Sequence, residues 1–145
     1  MEEKTILLVE DNKDDEELTL RALRQNKILN NIIIARDGVE ALDYLLCREK
    51  HADRDINDMP QLILLDLKLP KLSGLDVLQQ IRDNAILQFV PVVIMTSSNE
   101  EDDIVSSYRL GANSYVRKPV EFGNFSQAVQ QLGLYWLVIN QTINR

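Results

Sequence analysis

Hydrophobic residues in this chain form short uninterrupted runs that alternate with segments of helical spacing. Four runs are apolar at consecutive positions, which is typical of strands covered on both faces by helices. They are Ile6–Val9, Ile32–Ala35, Leu62–Leu65 and Val92–Met95, and a weaker run at Ser114–Val116 fits an edge strand. Helical spacing is found at Glu16–Gln25, Val39–Arg48, Leu75–Arg82, Asp102–Leu110 and Glu121–Ile139. Five strand–helix units predict an α/β fold with a parallel sheet and helices on both faces.

The last helical segment and one long loop add detail to this pattern. An apolar stripe on the segment contains Phe125, Val129, Leu132 and Trp136. Its end, Leu134–Ile139, is apolar at six consecutive positions, more than one stripe can bury. Either the domain wraps this end or a partner covers its second face, and we favour the partner. The polar stretch at residues 51–60 predicts a long surface loop, and Cys47 is expected to be a small buried residue on the second helix.

Length and composition favour a single globular domain over residues 1–145, with no output domain. The chain has 145 residues, of which 45% are hydrophobic and 27% charged. One Cys and one His exclude an intramolecular disulfide and a Cys/His zinc site. A net charge of −7 without a basic segment argues against nucleic-acid binding. The apolar runs are too short for a signal peptide or a membrane span, so we expect a cytoplasmic protein.

Polar residues stop each apolar run, and this is where function is expected. The carboxyl ends of parallel strands meet at one edge of a sheet, where ligands bind. The residues at these ends are Glu10 and Asp11 after the first strand, Asp66 after the third, Thr96 and Ser97 after the fourth, and Lys118 and Pro119 after the fifth. Three carboxylates gathered there repel each other by about 4 kcal/mol per pair unless a cation or protons intervene.

The residue types in this set indicate which ligands the edge binds. Oxygen ligands without a nearby His or Cys favour Mg²⁺, which is commonly completed by phosphate oxygens. Lys118 and Mg²⁺ can neutralise a phosphoryl group while Thr96 donates a hydrogen bond to it. Asp66, already ionised near neutral pH, is the candidate nucleophile that would form an aspartyl phosphate.

The spacing of these residues resembles the receiver domain of two-component response regulators over essentially the whole chain. The matching positions are Glu10 and Asp11, Asp66 within Leu65–Pro70, Gly74, Thr96, and Lys118 followed by Pro119. The resemblance implies a doubly wound five-stranded sheet in the flavodoxin-like order 2-1-3-4-5 with five flanking helices. It implies Asp66 as phosphoacceptor, Asp11 and Asp66 as Mg²⁺ ligands with the backbone carbonyl of Lys68, and Glu10 acting through water.

The resemblance also implies a conformational switch. Thr96 moves toward the phosphoryl group, Tyr115 turns inward, and the face formed by the fourth helix, fifth strand and fifth helix changes shape. The bond between Lys118 and Pro119 is expected to be cis, as in the family. We predict that the Lys68 side chain, which borders the path of an attacking water, alters the phosphoryl lifetime. Unchanged dephosphorylation of Lys68→Asn would contradict this, and a solvated surface lysine is the alternative reading.

Two features indicate a subgroup within the family that this chain resembles. The loop at residues 51–60 and the Leu134–Ile139 tail are similar to stand-alone receivers that partner phytochrome-type sensor histidine kinases. A symmetric homodimer through the face between the fourth and fifth helices, with the tail adding contact area, is also expected.

Two other functions compete with this interpretation. A Mg²⁺-dependent aspartyl-phosphate phosphohydrolase would need an acid two residues after the nucleophile, and that position is Lys68. A phosphorylation-independent adaptor would not need the complete acceptor set. We therefore expect a signalling module that is an enzyme only in its own phosphorylation and dephosphorylation on Asp66.

Overall fold

Five parallel strands form the centre of the protein, whose computed structural model describes residues 5–28, 30–98, 100–118 and 122–139. The strands are β1 (Thr5–Val9), β2 (Asn31–Ala35), β3 (Leu62–Leu65), β4 (Val92–Thr96) and β5 (Ser114–Arg117). They are hydrogen-bonded in the order β2-β1-β3-β4-β5. The predicted α/β fold and strand order are confirmed, and β5 is an edge strand as expected.

Five helices connect and follow the strands. They are α1 (Lys13–Gln25), α2 (Gly38–Leu45), α3 (Gly74–Asp83), α4 (Glu101–Arg109) and α5 (Phe122–Gly133), and a π-helical segment continues α5 over Leu134–Ile139. Short 3₁₀ turns lie at Glu49–His51 and Leu87–Phe89. Side-chain oxygens of Asn12, Asp37 and Ser73 accept backbone N–H groups at the starts of α1, α2 and α3. Because such caps satisfy otherwise unpaired donors, they fix where these helices begin.

The core has two parts, one on each face of the sheet. Alternate strand residues such as Leu7 and Ile63 pack with α2 and α3, while Ile6 and Leu64 pack with α1, α5 and the π-helical segment. Helix α4 lies against α3 and β5. Consecutive positions are buried because both faces are covered, which explains why the runs in the sequence are apolar without alternation.

Helix α2 is shorter than the sequence predicts. It ends at Leu45 instead of Arg48 because Cys47 adopts a left-handed conformation with φ 58°. The N–H of Arg48 then donates to the carbonyl of Asp43 at 2.8 Å, a bond typical of a helix C-terminus. The expectation of Cys47 as a buried residue on α2 is wrong, because Cys47 lies in the turn after the helix and is half-buried.

The chain after α5 also differs from the prediction of one α-helix to Ile139. The α-helix ends at Gly133 and a π-helix follows. Gly133 packs so closely on Ile28 that an added Cβ would lie 2.4 Å from its Cδ1. The wider π-helical turn buries two consecutive side chains, Trp136 and Leu137, and leaves Tyr135 half-exposed. The domain therefore covers part of the apolar tail.

Two further expectations concern membrane-spanning segments and the peptide bond before Pro119. No helix in the described ranges is long and apolar enough to cross a membrane. The expected cis bond before Pro119 involves a residue outside the described part of the structure.

Candidate functional site

The ends of β1 and β3 bring three carboxylates together. The two strands pair in parallel with Val9 opposite Leu65, so the residues that follow them emerge at the same edge of the sheet. Oxygens of Glu10, Asp11 and Asp66 all lie within 4.8 Å of one another. Glu10 and Asp66 are buried and Asp11 is exposed. These three residues, hereafter the acidic cluster, were predicted to lie close together.

The backbone around Asp66 is held in place by the start of α3. The N–H of Gly74 donates to the carbonyl of Leu67 at 2.9 Å. A Cβ on Gly74 would lie 2.2 Å from the carbonyl oxygen of Asp66, so a side chain there cannot be accommodated without moving the backbone. Glycine at position 74 therefore lets α3 approach the loop that carries Asp66.

Lys118 brings a positive charge from β5 to the acidic cluster. Its N–H donates to the carbonyl of Thr96 at 2.8 Å, which continues the pairing of β4 with β5. Its Nζ donates to Glu10 Oε1, and to Asp66 Oδ2 at 3.0 Å. The Lys118 side chain is only 8% exposed. Lys118 is thus a largely buried cation whose ammonium contacts two members of the acidic cluster, at the edge of the sheet where the sequence placed it.

Asp15 also contacts Lys118, and sequence reasoning missed it. Its Oδ2 accepts a hydrogen bond from Lys118 Nζ at 3.0 Å. The prediction started α1 at Glu16, whereas the helix starts at Lys13 and Asp15 is in its first turn. Asn12, whose side chain accepts the N–H of Asp15 at 3.0 Å, is the sequence signal that could have placed the start correctly.

The close contacts change the protonation equilibria of the cluster. Burial raises the pKa of Glu10 to about 8, and the neighbouring Asp66 charge adds to this effect while Lys118 opposes it. Burial alone would also raise the pKa of Asp66, but a hydrogen bond with Glu10 and the charge and hydrogen bond of Lys118 outweigh it and hold that pKa below its ordinary value. In the metal-free protein Asp66 is therefore ionised at neutral pH, whereas Glu10 loses its proton only at a higher pH than an ordinary carboxyl group.

Lys118 remains charged in this environment. Burial lowers the pKa of its ammonium, but the hydrogen bonds and negative charges of Glu10 and Asp66 outweigh burial and raise it above its ordinary value. A fixed ammonium beside an ionised Asp66 oxygen can stabilise negative charge that develops on a group transferred to that oxygen.

Thr96 and Tyr115 lie on the neighbouring strands β4 and β5. Thr96 is fully buried, and its Oγ1 accepts the N–H of Ser98 at 3.4 Å. Tyr115 packs against the core, and its hydroxyl donates to the carbonyl of Ser98 at 2.9 Å. Ser98 in turn donates through Oγ to Asp103 Oδ2 of α4 at 2.6 Å. Within the described part of the chain, neither the Thr96 nor the Tyr115 side chain is hydrogen-bonded to the acidic cluster.

Lys68 contributes its backbone to the site. Its N–H donates to Asp66 Oδ1 at 3.2 Å, and its side chain is exposed. This N–H fixes one oxygen of Asp66, while Lys118 contacts the other. The two oxygens of Asp66 are thereby given different environments.

The geometry suits a small divalent cation with oxygen ligands. Two of the three carboxylates are buried and the third is exposed, so the site is closed on one side and open to water on the other. Mg²⁺ suits such a site because it characteristically keeps several waters. A cation here would relieve the repulsion among the carboxylates, about 4 kcal/mol per pair at 4 Å and an effective dielectric constant near 20. The donor set therefore fits Mg²⁺.

Comparison with known proteins identifies relatives over nearly the full chain. Residues 6–130 match the family model described as the response regulator receiver domain. Response regulator Rcp1 from Synechocystis sp. is 40% identical over 134 residues, which cover 92% of this chain and 89% of that protein.

Solved structures agree with these sequence relatives. The phosphorylated cyanobacterial phytochrome response regulator RcpA has a TM-score of 0.89 at 38% identity, covering 97% of this chain and 99% of that one. The Mn²⁺-bound form of Rcp1 has a TM-score of 0.87 at 38% identity over the same shares of the two chains. The bacteriophytochrome response regulator RtBRR is 52% identical with a TM-score of 0.80, covering 98% of this chain and 85% of that chain.

Proposed function

Because the chain belongs to the response regulator receiver domain family, we propose that it is a phosphorylation-controlled switch whose acceptor is Asp66. The observation that carries this proposal is the contact of Lys118 Nζ with Asp66 Oδ2 at 3.0 Å, inside an acidic cluster that fits a divalent cation. An ionised carboxylate can act as the nucleophile, and a fixed ammonium and a cation can stabilise the negative charge of the transferred group.

Mg²⁺ is the proposed cofactor, and its ligands come from the acidic cluster. Asp11, Asp66 and the backbone carbonyl of Lys68 would bind it directly, and Glu10 would act through a water molecule. When bound, Mg²⁺ neutralises charge on the phosphoryl oxygens. The Mn²⁺-bound form of Rcp1, a protein similar to this chain, supports the binding of a divalent cation.

In the proposed reaction an Asp66 carboxylate oxygen attacks the phosphorus of a phosphohistidine on a sensor kinase. The new O–P bond forms as the P–N bond breaks, and the electron pair of that bond returns to the imidazole. The Lys118 ammonium and the Thr96 hydroxyl donate hydrogen bonds to the phosphoryl oxygens. Hydrolysis of the aspartyl phosphate by water resets the switch, and the chain transforms no other substrate in this scheme.

The proposed output is a change in the face formed by α4, β5 and α5. Thr96 turns toward the phosphoryl group, and Tyr115 moves into the space that Thr96 leaves. Two contacts support this coupling, because the hydroxyl of Tyr115 and the Oγ1 of Thr96 are both bonded to backbone groups of Ser98. A movement of one side chain would therefore disturb the partner of the other.

The proposed phosphodonor is a phytochrome-type sensor histidine kinase. The similarity to RcpA and RtBRR, which are described as phytochrome and bacteriophytochrome response regulators, supports this assignment. The alignment also covers 89% of Rcp1 and 99% of the RcpA chain. This coverage supports the comparison of the chain with these regulators over the whole receiver domain.

A homodimer through the face between α4 and α5 is the proposed assembly. Apolar side chains on α4 and the tail support it, because Val105, Tyr108 and Tyr135 are 40%, 51% and 48% exposed. Sedimentation at high micromolar concentration should give a dimer with a phosphoryl mimic. A monomer with and without the mimic would contradict this assembly.

Acetyl phosphate with Mg²⁺ followed by intact-mass measurement tests the proposed function. We expect one labile phosphoryl adduct in the wild-type chain and none in Asp66→Asn. Asp83→Asn, which changes an exposed aspartate at the end of α3, is the matched control and should retain the adduct. An unmodified wild-type chain would favour the adaptor alternative, and continuous release of phosphate from an added phosphomonoester would favour the phosphohydrolase.

A further inference from the structure

Asp15 differs from the other two carboxylates that contact Lys118. Glu10 and Asp66 belong to the acidic cluster, so a bound cation would draw on their oxygens. Asp15 lies outside that cluster, in the first turn of α1, and contacts Lys118 Nζ at 3.0 Å. Among the described partners of Lys118, Asp15 is therefore the carboxylate that a cation leaves unengaged.

We propose that Asp15 is a positioning residue that holds the ammonium of Lys118 beside Asp66 while Mg²⁺ is bound. The inference rests on the proposed function of this site. A cation entering the cluster repels the ammonium and shares the carboxylates that attract it. Asp15 keeps its charge available to Lys118 in this state, so the ammonium stays in position to meet a phosphoryl group.

The backbone of Asp15 is anchored well enough for this role. Its N–H donates to Asn12 Oδ1 at 3.0 Å, and its carbonyl accepts the hydroxyl of Thr19 at 2.9 Å. The Asp15 side chain is 36% exposed, whereas that of Lys118 is 8% exposed. Asp15 thus holds Lys118 from the solvent side of the site, on a helical turn with a fixed start.

Chemical labelling of Lys118 tests the inference without relying on phosphorylation. The Mg²⁺-saturated full chain is treated with formaldehyde and cyanoborohydride, and dimethylation of Lys118 is followed by peptide mass spectrometry relative to the exposed Lys50. Asp14→Asn is the matched control, because Asp14 is an exposed aspartate in the same helical turn. It removes the same charge without removing a contact to Lys118.

We expect Lys118 to be labelled about tenfold faster in Asp15→Asn than in the wild type or Asp14→Asn, with partial protection restored in Asp15→Glu. Phosphorylation at saturating acetyl phosphate and Mg²⁺ should slow about tenfold in Asp15→Asn, while the Mg²⁺ dissociation constants of Asp15→Asn and Asp14→Asn agree within twofold.

Labelling of Lys118 in Asp15→Asn within twofold of Asp14→Asn would overturn the inference, and so would an unprotected Lys118 in the Mg²⁺-saturated wild type. A wild-type chain that takes up no phosphoryl group would instead contradict the proposed function. The two failures are therefore distinguishable.

Discussion

Two partly buried cations lie at opposite ends of the sheet, and the groups around them differ in charge. Lys118, at the carboxyl end of β5, contacts carboxylates of Glu10, Asp15 and Asp66. Arg82, in the last turn of α3, lies by the amino ends of β4 and β5. Its guanidinium donates over 2.7–3.0 Å to neutral oxygens, namely the carbonyls of Gln88, Val90 and Gly111 and the side chain of Asn113.

This difference in surroundings distinguishes Arg82, a structural cation, from Lys118, whose ammonium is available to interact with a ligand. The oxygens around Arg82 do not titrate, and although burial lowers the pKa of its guanidinium, arginine stays charged in proteins. Arg82 therefore joins α3 to the starts of two strands. At the other end one ammonium faces an excess of carboxylates, so the Lys118 site gains stability when a further cation binds.

The largest effect is expected when Lys118 itself is removed. Lys118→Ala should slow phosphoryl uptake from acetyl phosphate about 100-fold, because the developing negative charge loses a fixed donor. Without Mg²⁺ it should also destabilise the chain by about 3 kcal/mol, since buried carboxylates lose their partner. Uptake kinetics and urea unfolding in EDTA measure the two effects, with Lys50→Ala as an exposed control. Phosphoryl uptake at the wild-type rate in Lys118→Ala would contradict a chemical role for Lys118.

Removal of Arg82 should affect stability alone. Arg82→Ala is expected to cost about 3 kcal/mol, because several carbonyl oxygens lose their donor. Arg82→Lys keeps the charge without the planar fork and should cost about half as much. Urea unfolding with and without Mg²⁺ should give the same loss, and the folded variant should take up phosphoryl groups at the wild-type rate. A loss that Mg²⁺ reversed would contradict the structural role.

The pH dependence of stability should arise at the Lys118 end. Because folding raises the pKa of Glu10 from its ordinary value of 4.5 to about 8, the folded state binds more protons than the unfolded state between these values. Stability of the metal-free protein should therefore fall as pH rises from 5 to 8, by on the order of 2 kcal/mol.

Glu10→Gln and Arg82→Lys test which end of the sheet causes the pH dependence of the free energy of unfolding. Urea unfolding in EDTA at pH 5, 6.5 and 8 should show a flatter dependence for Glu10→Gln than for the wild type. Arg82→Lys should retain the wild-type slope, because the oxygens around Arg82 do not titrate. Equal slopes for Glu10→Gln and the wild type would show that Glu10 does not titrate in this range.

A smaller effect is expected at Asp11. Asp11→Asn removes an exposed carboxylate from a repelling cluster, so the metal-free chain should become more stable by about 1 kcal/mol. The same change should remove the gain in stability that wild-type protein shows on addition of Mg²⁺. Thermal unfolding with EDTA and with Mg²⁺ compares the two. Destabilisation of the metal-free chain by Asp11→Asn would contradict a repulsive cluster.

The sequence predicted the parts of the fold and site that depend on long patterns. Apolar runs marked the five strands. The carboxyl ends of β1, β3 and β5 then marked Glu10, Asp66 and Lys118 as candidate site residues. The parallel arrangement follows from the alternation of strands and helices, whereas the strand order was implied by the family resemblance. These features are robust because each rests on several consecutive residues.

Features set by a single residue's conformation or contact were missed. Cys47 ends α2 in a left-handed conformation that the sequence signals only when Gly or Asn is present. The π-helix after Gly133 depends on packing against Ile28, which is distant in sequence. Asp15 was missed because charged residues after Asn12 hid the helix start, and its contact with Lys118 spans 103 positions.

Calorimetric titration with Mg²⁺ tests the central claim, that the acidic cluster beside Lys118 is a cation site. We expect saturable binding of one Mg²⁺ per wild-type chain, loss of that binding in Asp11→Asn and unchanged binding in Arg82→Lys. Absence of saturable binding at millimolar Mg²⁺, or equal affinity in the wild type and Asp11→Asn, would contradict it.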